Sequence, residues 1–73
     1  MMLDNLDTQA LAETAIYLEL RERGMDMPSA RRAAIHLRRC GITARTVMWG
    51  LDHEGPERDA IEKVLRDQSV AIP

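Results

Sequence analysis

The sequence predicts an all-α domain, a compact bundle of three to four short helices. The chain has 73 residues, of which 45% are apolar, and this is enough for one small core. With one Tyr, one Trp and no Phe, the apolar residues are mainly aliphatic, which favours helices over strands. They recur every three or four residues between Gly and Pro positions, as in amphipathic helices. No repeat or linker divides the chain, so residues 1–73 are interpreted as one domain.

The first helix is expected to begin near Asp7 or Thr8, where Asp7 can cap free backbone N–H groups, and to end at Gly24. Its apolar residues fall on two opposite sides, with Leu11, Ala15 and Leu18 on one and Ile16 and Leu20 on the other. A helix that is apolar on both sides is either the central helix of its domain or contacts something beyond it. We expect a central helix, with a dimer contact as the alternative.

The second helix is expected to begin between Asp26 and Ser29, with Pro28 in its first turn, and to stop before Gly41. At about 100° per residue, its predicted core face consists of Ala30, Ala33, Ala34, Leu37 and Cys40.

The third helix is expected to run from its cap Thr43 to about Leu51. Its predicted buried face consists of Ala44, Val47, Met48 and Leu51, and its outward face of Arg45, Thr46 and Trp49. The fourth helix is expected to begin at Pro56 and to run to about Gln68. Residues 69–73 are expected to form a frayed tail, or a short extension that packs Val70 and Ile72.

Charge is segregated along the chain, although the formal net charge is only −2. Residues 27–51 carry five arginines and no acid, whereas residues 1–26 and 52–73 each carry six acids and a net negative charge. Either the oppositely charged blocks pair with one another in the fold, or the centre forms a basic binding face on an acidic body.

An aliphatic residue lies among the arginines of the second helix. Ile35 is three or four positions from each of Arg31, Arg32, Arg38 and Arg39, so it falls on the polar face. The arginine stems could simply cover it. Alternatively, an apolar contact ringed by guanidinium groups fits an acidic protein surface or a phosphate backbone. Because phosphate binding needs no isoleucine, Ile35 favours a protein partner.

The stretch CGITARTVMWGL, residues 40–51, resembles the second half of a helix-turn-helix. Gly41 lies in the turn, and aliphatic residues follow at Ile42, Val47 and Leu51. The order is similar to that of the Fis-like nucleoid proteins over about a sixth of the chain. That family has a small residue four positions before the Gly, where this chain has Leu37.

The resemblance implies a DNA-reading third helix. Arg45 would then contact a guanine edge, and Thr43 and Thr46 would contact phosphates or bases. Trp49 belongs to the same outward face, but a bulky indole restricts entry into the major groove. An exposed Trp beside an Arg is typical of a protein-binding hot spot; the alternative is that Trp49 packs under the fourth helix or the tail.

No catalytic, cofactor or metal site is expected. The pair His36 and Cys40 provides two potential ligands, whereas structural zinc takes four. The loop Asp52-His53-Glu54 lacks a nucleophile, and His53 is interpreted as a residue at a helix C-terminus. One cysteine, no signal-peptide pattern and no long apolar stretch favour a cytoplasmic protein without a membrane segment.

These observations predict a non-enzymatic regulator of transcription, as a monomer or homodimer. We expect it to bind an acidic surface of a larger protein machine, such as RNA polymerase, through a basic face. In size and charge segregation it is similar to small phage-encoded inhibitors of host RNA polymerase. The predicted contact residues are Arg31, Arg32, Ile35, Arg38, Arg39, Arg45 and Trp49. The alternative is a dimeric DNA-binding repressor or activator that uses Thr43, Arg45, Thr46 and Trp49.

Overall fold

The computed structural model describes the backbone of residues 5–70 and the side chains of residues 10–70, and contains four helices and no strand in that range. The helices are α1 (Asn5–Glu22), α2 (Met27–Arg39), α3 (Ala44–Asp52) and α4 (Pro56–Asp67). The prediction of a small all-α bundle is confirmed. Three of the four helices begin within the predicted limits, whereas α1 is already helical at Asn5, the first residue that the structure describes, before the predicted Asp7 or Thr8.

Two helices begin at a side-chain cap, of which the sequence analysis had predicted the one at Thr43. The Asp26 carboxylate accepts a hydrogen bond from the Ser29 backbone N–H at the start of α2. The Thr43 hydroxyl accepts one from the Thr46 backbone N–H at the start of α3. Each bond pairs an N–H group that has no partner inside the helix.

Helix α2 ends in a left-handed turn at Gly41, whose φ is 79°. The Gly41 N–H donates to the Arg38 carbonyl at 2.9 Å, and the Ile42 N–H donates to the Leu37 carbonyl at 2.9 Å. This pair of bonds is the Schellman motif, which brings the residue after the turn back over the last helical turn. Ile42 is therefore packed against the core.

The same motif ends α1 and α4. The backbone bonds at their ends join Met25 to Leu20 and Val70 to Leu65. The left-handed position is Gly24 in α1 and Ser69 in α4. Val70 is buried, so the extension predicted after Gln68 packs as far as Val70, while Ile72 lies outside the described residues.

The helices pack as two pairs. Helix α1 lies against α2 and α3 lies against α4, while α1 also contacts α3 and α2 also contacts α4. The remaining pairs, including α2 with α3, are not in close contact within the described residues. The fully buried larger side chains are Ile16, Leu20, Leu37, Val47, Ile61 and Leu65.

The two apolar sides of α1 have different environments. Ile16 and Leu20 are fully buried, whereas Leu11 and Leu18 are 66% and 55% exposed. Ala15, between these two leucines, is also exposed. Helix α1 is thus a central helix on one side only, and the other side is an apolar stripe open to solvent.

Two residues that the sequence had placed in the core are exposed. Cys40 is exposed because it follows the last residue of α2 and leads into the turn at Gly41. Met48 is 47% exposed. Gly50, about 200° around α3 from Met48, is buried instead, because its bare Cα allows the start of α4 to approach closely.

Candidate functional site

A groove of about 430 Å³ runs between α1 and α2. It is lined by Ala10, Glu13, Thr14, Tyr17, Arg31 and Ile35. Ile35 and Tyr17 are half-buried in it, whereas Arg31 is exposed. The predicted position of Ile35 on the polar side of α2 therefore becomes part of the seam with α1.

One wall of the groove carries an ion pair between the two helices. The Arg38 Nε donates to the Glu13 Oε1 at 2.8 Å, and both side chains are partly buried. The Thr14 hydroxyl is also engaged, because it donates to the Ala10 carbonyl at 2.9 Å. The Arg31 guanidinium forms no ion pair with any side chain of residues 10–70, so this cation is left to meet a ligand, together with the Tyr17 hydroxyl.

Most of the other arginines of α2 and α3 have no acidic partner among the side chains of residues 10–70. Of the five arginines between residues 27 and 51, Arg38 is paired with an acid. The remaining four form no ion pair with any side chain of residues 10–70. They are all exposed, and they are Arg31, Arg32, Arg39 and Arg45. Within the described residues, the acidic ends of the chain neutralise little of its basic centre.

Helix α3 presents an aromatic ridge. The Trp49 side chain is 54% exposed, and its ring stacks on that of His53 with 3.7 Å between centroids and 9° between planes. His53 Nδ1 lies 3.0 Å from the Trp49 carbonyl. His53 thus covers one face of the indole and, in the tautomer with the proton on Nδ1, caps the end of the helix, where the sequence placed it.

Two further basic side chains bind the C-terminal carbonyls of α3. Arg23 from the end of α1 donates to the Met48 carbonyl at 3.3 Å, and Arg58 from α4 donates to the Leu51 carbonyl at 2.9 Å. Positive charge at a helix C-terminus is stabilising because it opposes the helix dipole. These contacts fix a helix of only nine residues on both of its neighbours.

Arg23 also binds a carboxylate at the end of α3. Its Nη1 and Nη2 donate to the two oxygens of Asp52 at 2.6 and 3.1 Å. This hydrogen-bonded guanidinium lowers the pKa of Asp52, and the same bond raises the pKa of Arg23. At the start of α2, the bond from the Ser29 backbone N–H lowers the pKa of the cap residue Asp26.

The N-terminal end of α3 holds the residues of the DNA-binding alternative. Thr43 and Arg45 are exposed there, and the Thr43 and Thr46 hydroxyl oxygens lie 3.1 Å apart. Thr46, predicted to face outward, is half-buried because its backbone and hydroxyl bind the cap. Arg45 precedes Trp49 by one turn.

The predicted contact residues thus lie on two separate surfaces rather than on one. Arg31, Ile35 and Arg38 meet α1 at the groove, whereas Arg45 and Trp49 lie on α3. Sequence reasoning missed Glu13 and Tyr17, which line the groove, and Arg23, which binds the end of α3. Their partners lie on other helices, and no local spacing indicates such contacts.

Metal ligands and membrane-spanning helices were also sought in the described residues. Among the residues that the structure describes, no group of three or more His, Cys, Asp or Glu side chains is placed to hold a metal ion. In the same part of the chain, every helix is too short or too polar to cross a bilayer.

The comparisons with known proteins give no relative from which a role could be transferred. The chain matches no protein family, no curated protein and no solved structure.

Proposed function

We propose that this protein is a small non-enzymatic regulator that binds an acidic surface of a larger protein assembly. The observation that carries the proposal is the exposure of Trp49. The only tryptophan of the chain is 54% exposed, next to the exposed Met48. Trp and Arg are the residues most enriched among those that dominate protein interfaces, and Arg45 lies one turn from Trp49.

The sign of the partner's charge follows from the unpaired arginines. Arg31, Arg32, Arg39 and Arg45 have no acidic partner among the side chains of residues 10–70. Guanidinium groups bind carboxylates in a planar, two-point geometry. A partner rich in Asp and Glu therefore meets this surface without leaving the arginines unpaired. The transcription machinery, with RNA polymerase as the first candidate, is our proposed partner assembly.

The rigidity of α3 supports the same proposal. The carbonyls near the end of the helix are contacted by side chains from the turn after α1, from α4 and from the following loop. A Trp held in one orientation loses little side-chain entropy when it binds, and such preorganisation favours affinity.

DNA binding is the alternative, and one observation favours it. Thr43 and Arg45 are exposed at the N-terminus of α3, where the Fis-like resemblance implies contacts with a duplex. Two observations favour protein binding instead. Helices α2 and α3 are not in close contact in the described residues, whereas a helix-turn-helix packs its two helices together, and Trp49 occupies the middle of the helix that would enter the groove.

The test is a binding comparison with matched variants. The wild-type chain, Trp49→Ala and Leu18→Ala are immobilised and exposed to lysate of the source organism, and bound proteins are identified by mass spectrometry. Leu18 is the control because its exposure, 55%, is close to the 54% of Trp49 and it lies on a different helix. We expect one stoichiometric partner that is lost with Trp49→Ala, is retained with Leu18→Ala and binds the purified chain directly.

The same proteins are tested on duplex DNA at low salt. If a duplex is retarded and its affinity falls steeply with salt, with a flatter slope in Arg45→Ala, the DNA alternative replaces our proposal. Retention of the identified partner by Trp49→Ala would also reject it, because the exposed indole would then have no part in binding.

A further inference from the structure

We propose that the groove between α1 and α2 binds an acidic amphipathic helix of a partner protein. This inference rests on the proposed function, since it names the part of the partner that the chain recognises. The groove is distinct from the aromatic ridge of α3, and four of its six lining residues come from α1, which carries none of the predicted contact residues. Its lining residues combine an apolar floor with Arg31, which forms no ion pair with any side chain of residues 10–70.

The floor of the groove fits an apolar side chain. Ile35 and the Tyr17 ring are half-buried side by side in the seam, and Ala10 leaves space at one end. An aliphatic or aromatic side chain placed there would remove apolar surface on both partners from water, at about 25 cal/mol per Å². The groove therefore takes a hydrophobic anchor.

The charge of the rim requires an acidic partner. Glu13 is already bound to Arg38 at 2.8 Å, so its negative charge is compensated within the protein. Arg31 lines the same groove, and no side chain of residues 10–70 forms an ion pair with it. A carboxylate one turn away from the anchor would bind the Arg31 guanidinium.

The backbone of the groove requires a helical partner. Both walls are α-helices, whose backbone groups are paired internally, and the Thr14 hydroxyl is bound to the Ala10 carbonyl. An extended peptide would lose hydrogen bonds to water without gaining backbone partners in exchange. A helix brings its own backbone bonds, and a third helix laid along a pair of helices is a common packing arrangement.

The length of the groove sets the size of the contact. It extends along α1 from Ala10 to Tyr17, which is about 10 Å or two helical turns. The bound segment thus contributes one or two anchors and one or two acids over two to three turns. Such a contact alone is small, so it fits a partner that also touches the aromatic ridge of α3.

The probe is a displayed library of helical peptides of about four turns, with one face randomised to all residue types. It is selected on the folded chain. We expect the selected peptides to share an aliphatic or aromatic residue followed or preceded by Asp or Glu at a spacing of three or four. Their binding should fall about tenfold or more in Ile35→Glu, after circular dichroism has shown that the variant is folded.

The matched pair Arg31→Glu and Arg66→Glu tests the role of charge. Both arginines are exposed and undergo the same charge change, but only Arg31 lines the groove, whereas Arg66 lies on α4. Arg31→Glu should weaken the acidic peptides about tenfold and restore binding when their acids are replaced by Lys, whereas Arg66→Glu should change affinity about twofold or less.

Several results would overturn the inference. They are an empty selection, a basic consensus, equal effects of the two arginine variants, or self-association that Ile35→Glu abolishes.

The proposed function can fail independently of the groove. If Ile35→Glu and Arg31→Glu keep the cellular partner that Trp49→Ala loses, the groove is rejected and the function stands. If acidic helices bind the groove but lysate yields no partner, the groove stands and the function is rejected.

Discussion

The guanidinium of Arg23 binds both carboxylate oxygens of Asp52, at 2.6 and 3.1 Å, and so joins the end of α1 to the end of α3. The same guanidinium reaches the Met48 carbonyl at 3.3 Å. The contact spans 29 positions of sequence and holds in place the helix that carries Trp49. Loss of this contact should therefore affect both the stability of the fold and the presentation of the indole.

Acid should weaken the fold through this contact and the cap of α2. The pKa values of Asp52 and Asp26 are lowered in the folded state, so the folded chain binds these protons less readily than the unfolded chain. Their stabilising effect is complete above the unfolded-state pKa of about 4 and is lost as the pH falls through the lowered folded-state values. Denaturation followed by circular dichroism from neutral pH to about pH 2 should show this loss.

The variant Asp52→Asn measures how much of this acid-dependent stability comes from the contact between Arg23 and Asp52. It should be less stable than the wild type at neutral pH and should lose less stability in acid, because it lacks one of the two carboxylates whose pKa is lowered among the described residues. Combining Asp52→Asn with Arg23→Gln in a double-mutant cycle isolates the pair from the bond to Met48. Identical acid profiles for the wild type and Asp52→Asn would contradict the assignment.

Ser69→Gly should stabilise the protein. Ser69 is the one residue other than Gly among the described residues with a positive φ, 57°, at the turn that ends α4. A left-handed conformation costs a residue with a side chain about 1–2 kcal/mol, and the greater freedom of Gly in the unfolded chain offsets part of the relief. We expect a gain of about 0.5–1 kcal/mol, which raises Tm by roughly 2–8 °C in a domain of this size.

Gly41→Ala provides the opposite change at the equivalent turn of α2. A Cβ at Gly41 would meet no atom within 4 Å, and its φ is 79°. The substitution therefore adds backbone strain without a clash, and we expect a loss of about 1 kcal/mol. A Ser69→Gly variant that is less stable than the wild type would show that the two turns are not equivalent.

Gly50→Ala should destabilise the contact between α3 and α4. A Cβ at this position would lie 2.6 Å from the Ile61 Cδ1 and 3.2 Å from the Arg58 backbone nitrogen. The higher helix propensity of Ala favours the variant by about 1 kcal/mol, whereas forcing a methyl group into a packed interface costs roughly 1–3 kcal/mol or more. Because the backbone of α4 must also move, we expect a net loss of about 1–2 kcal/mol in thermal or denaturant unfolding.

Local signals in the sequence were sufficient to predict the four helices and most of their ends, although not the start of α1, which is already helical at Asn5. Asp26, Thr43 and Pro56 mark where helices begin, and Gly24 and Gly41 mark where they end, because caps and left-handed turns depend on residues close in the chain. The contacts Arg23 to Asp52 and Glu13 to Arg38 depend on how the helices cross. No spacing within one helix contains that information.

The prediction for α3 was wrong at Met48 for a related reason. Helical periodicity assigns residues to a face of the helix, but it does not say which face meets a neighbour. A close approach at Gly50 turned the helix so that a residue without a side chain faces α4 and Met48 faces solvent. The same limit applies to the groove, where Ile35 was identified on α2 but its neighbour Tyr17 on α1 was not.

The orientation of α1, which the sequence left open, can be tested by two substitutions of similar chemistry. Ile16 is fully buried and Leu18 is 55% exposed, although both belong to apolar stripes of the same helix. Ile16→Ala should cost about 2–4 kcal/mol, because it removes buried methyl groups and leaves a cavity. Leu18→Ala should change stability by about 0.5 kcal/mol or less. Denaturant unfolding followed by circular dichroism measures both, and comparable losses at the two positions would show that the exposed stripe is covered in solution, as in a dimer that contacts through α1.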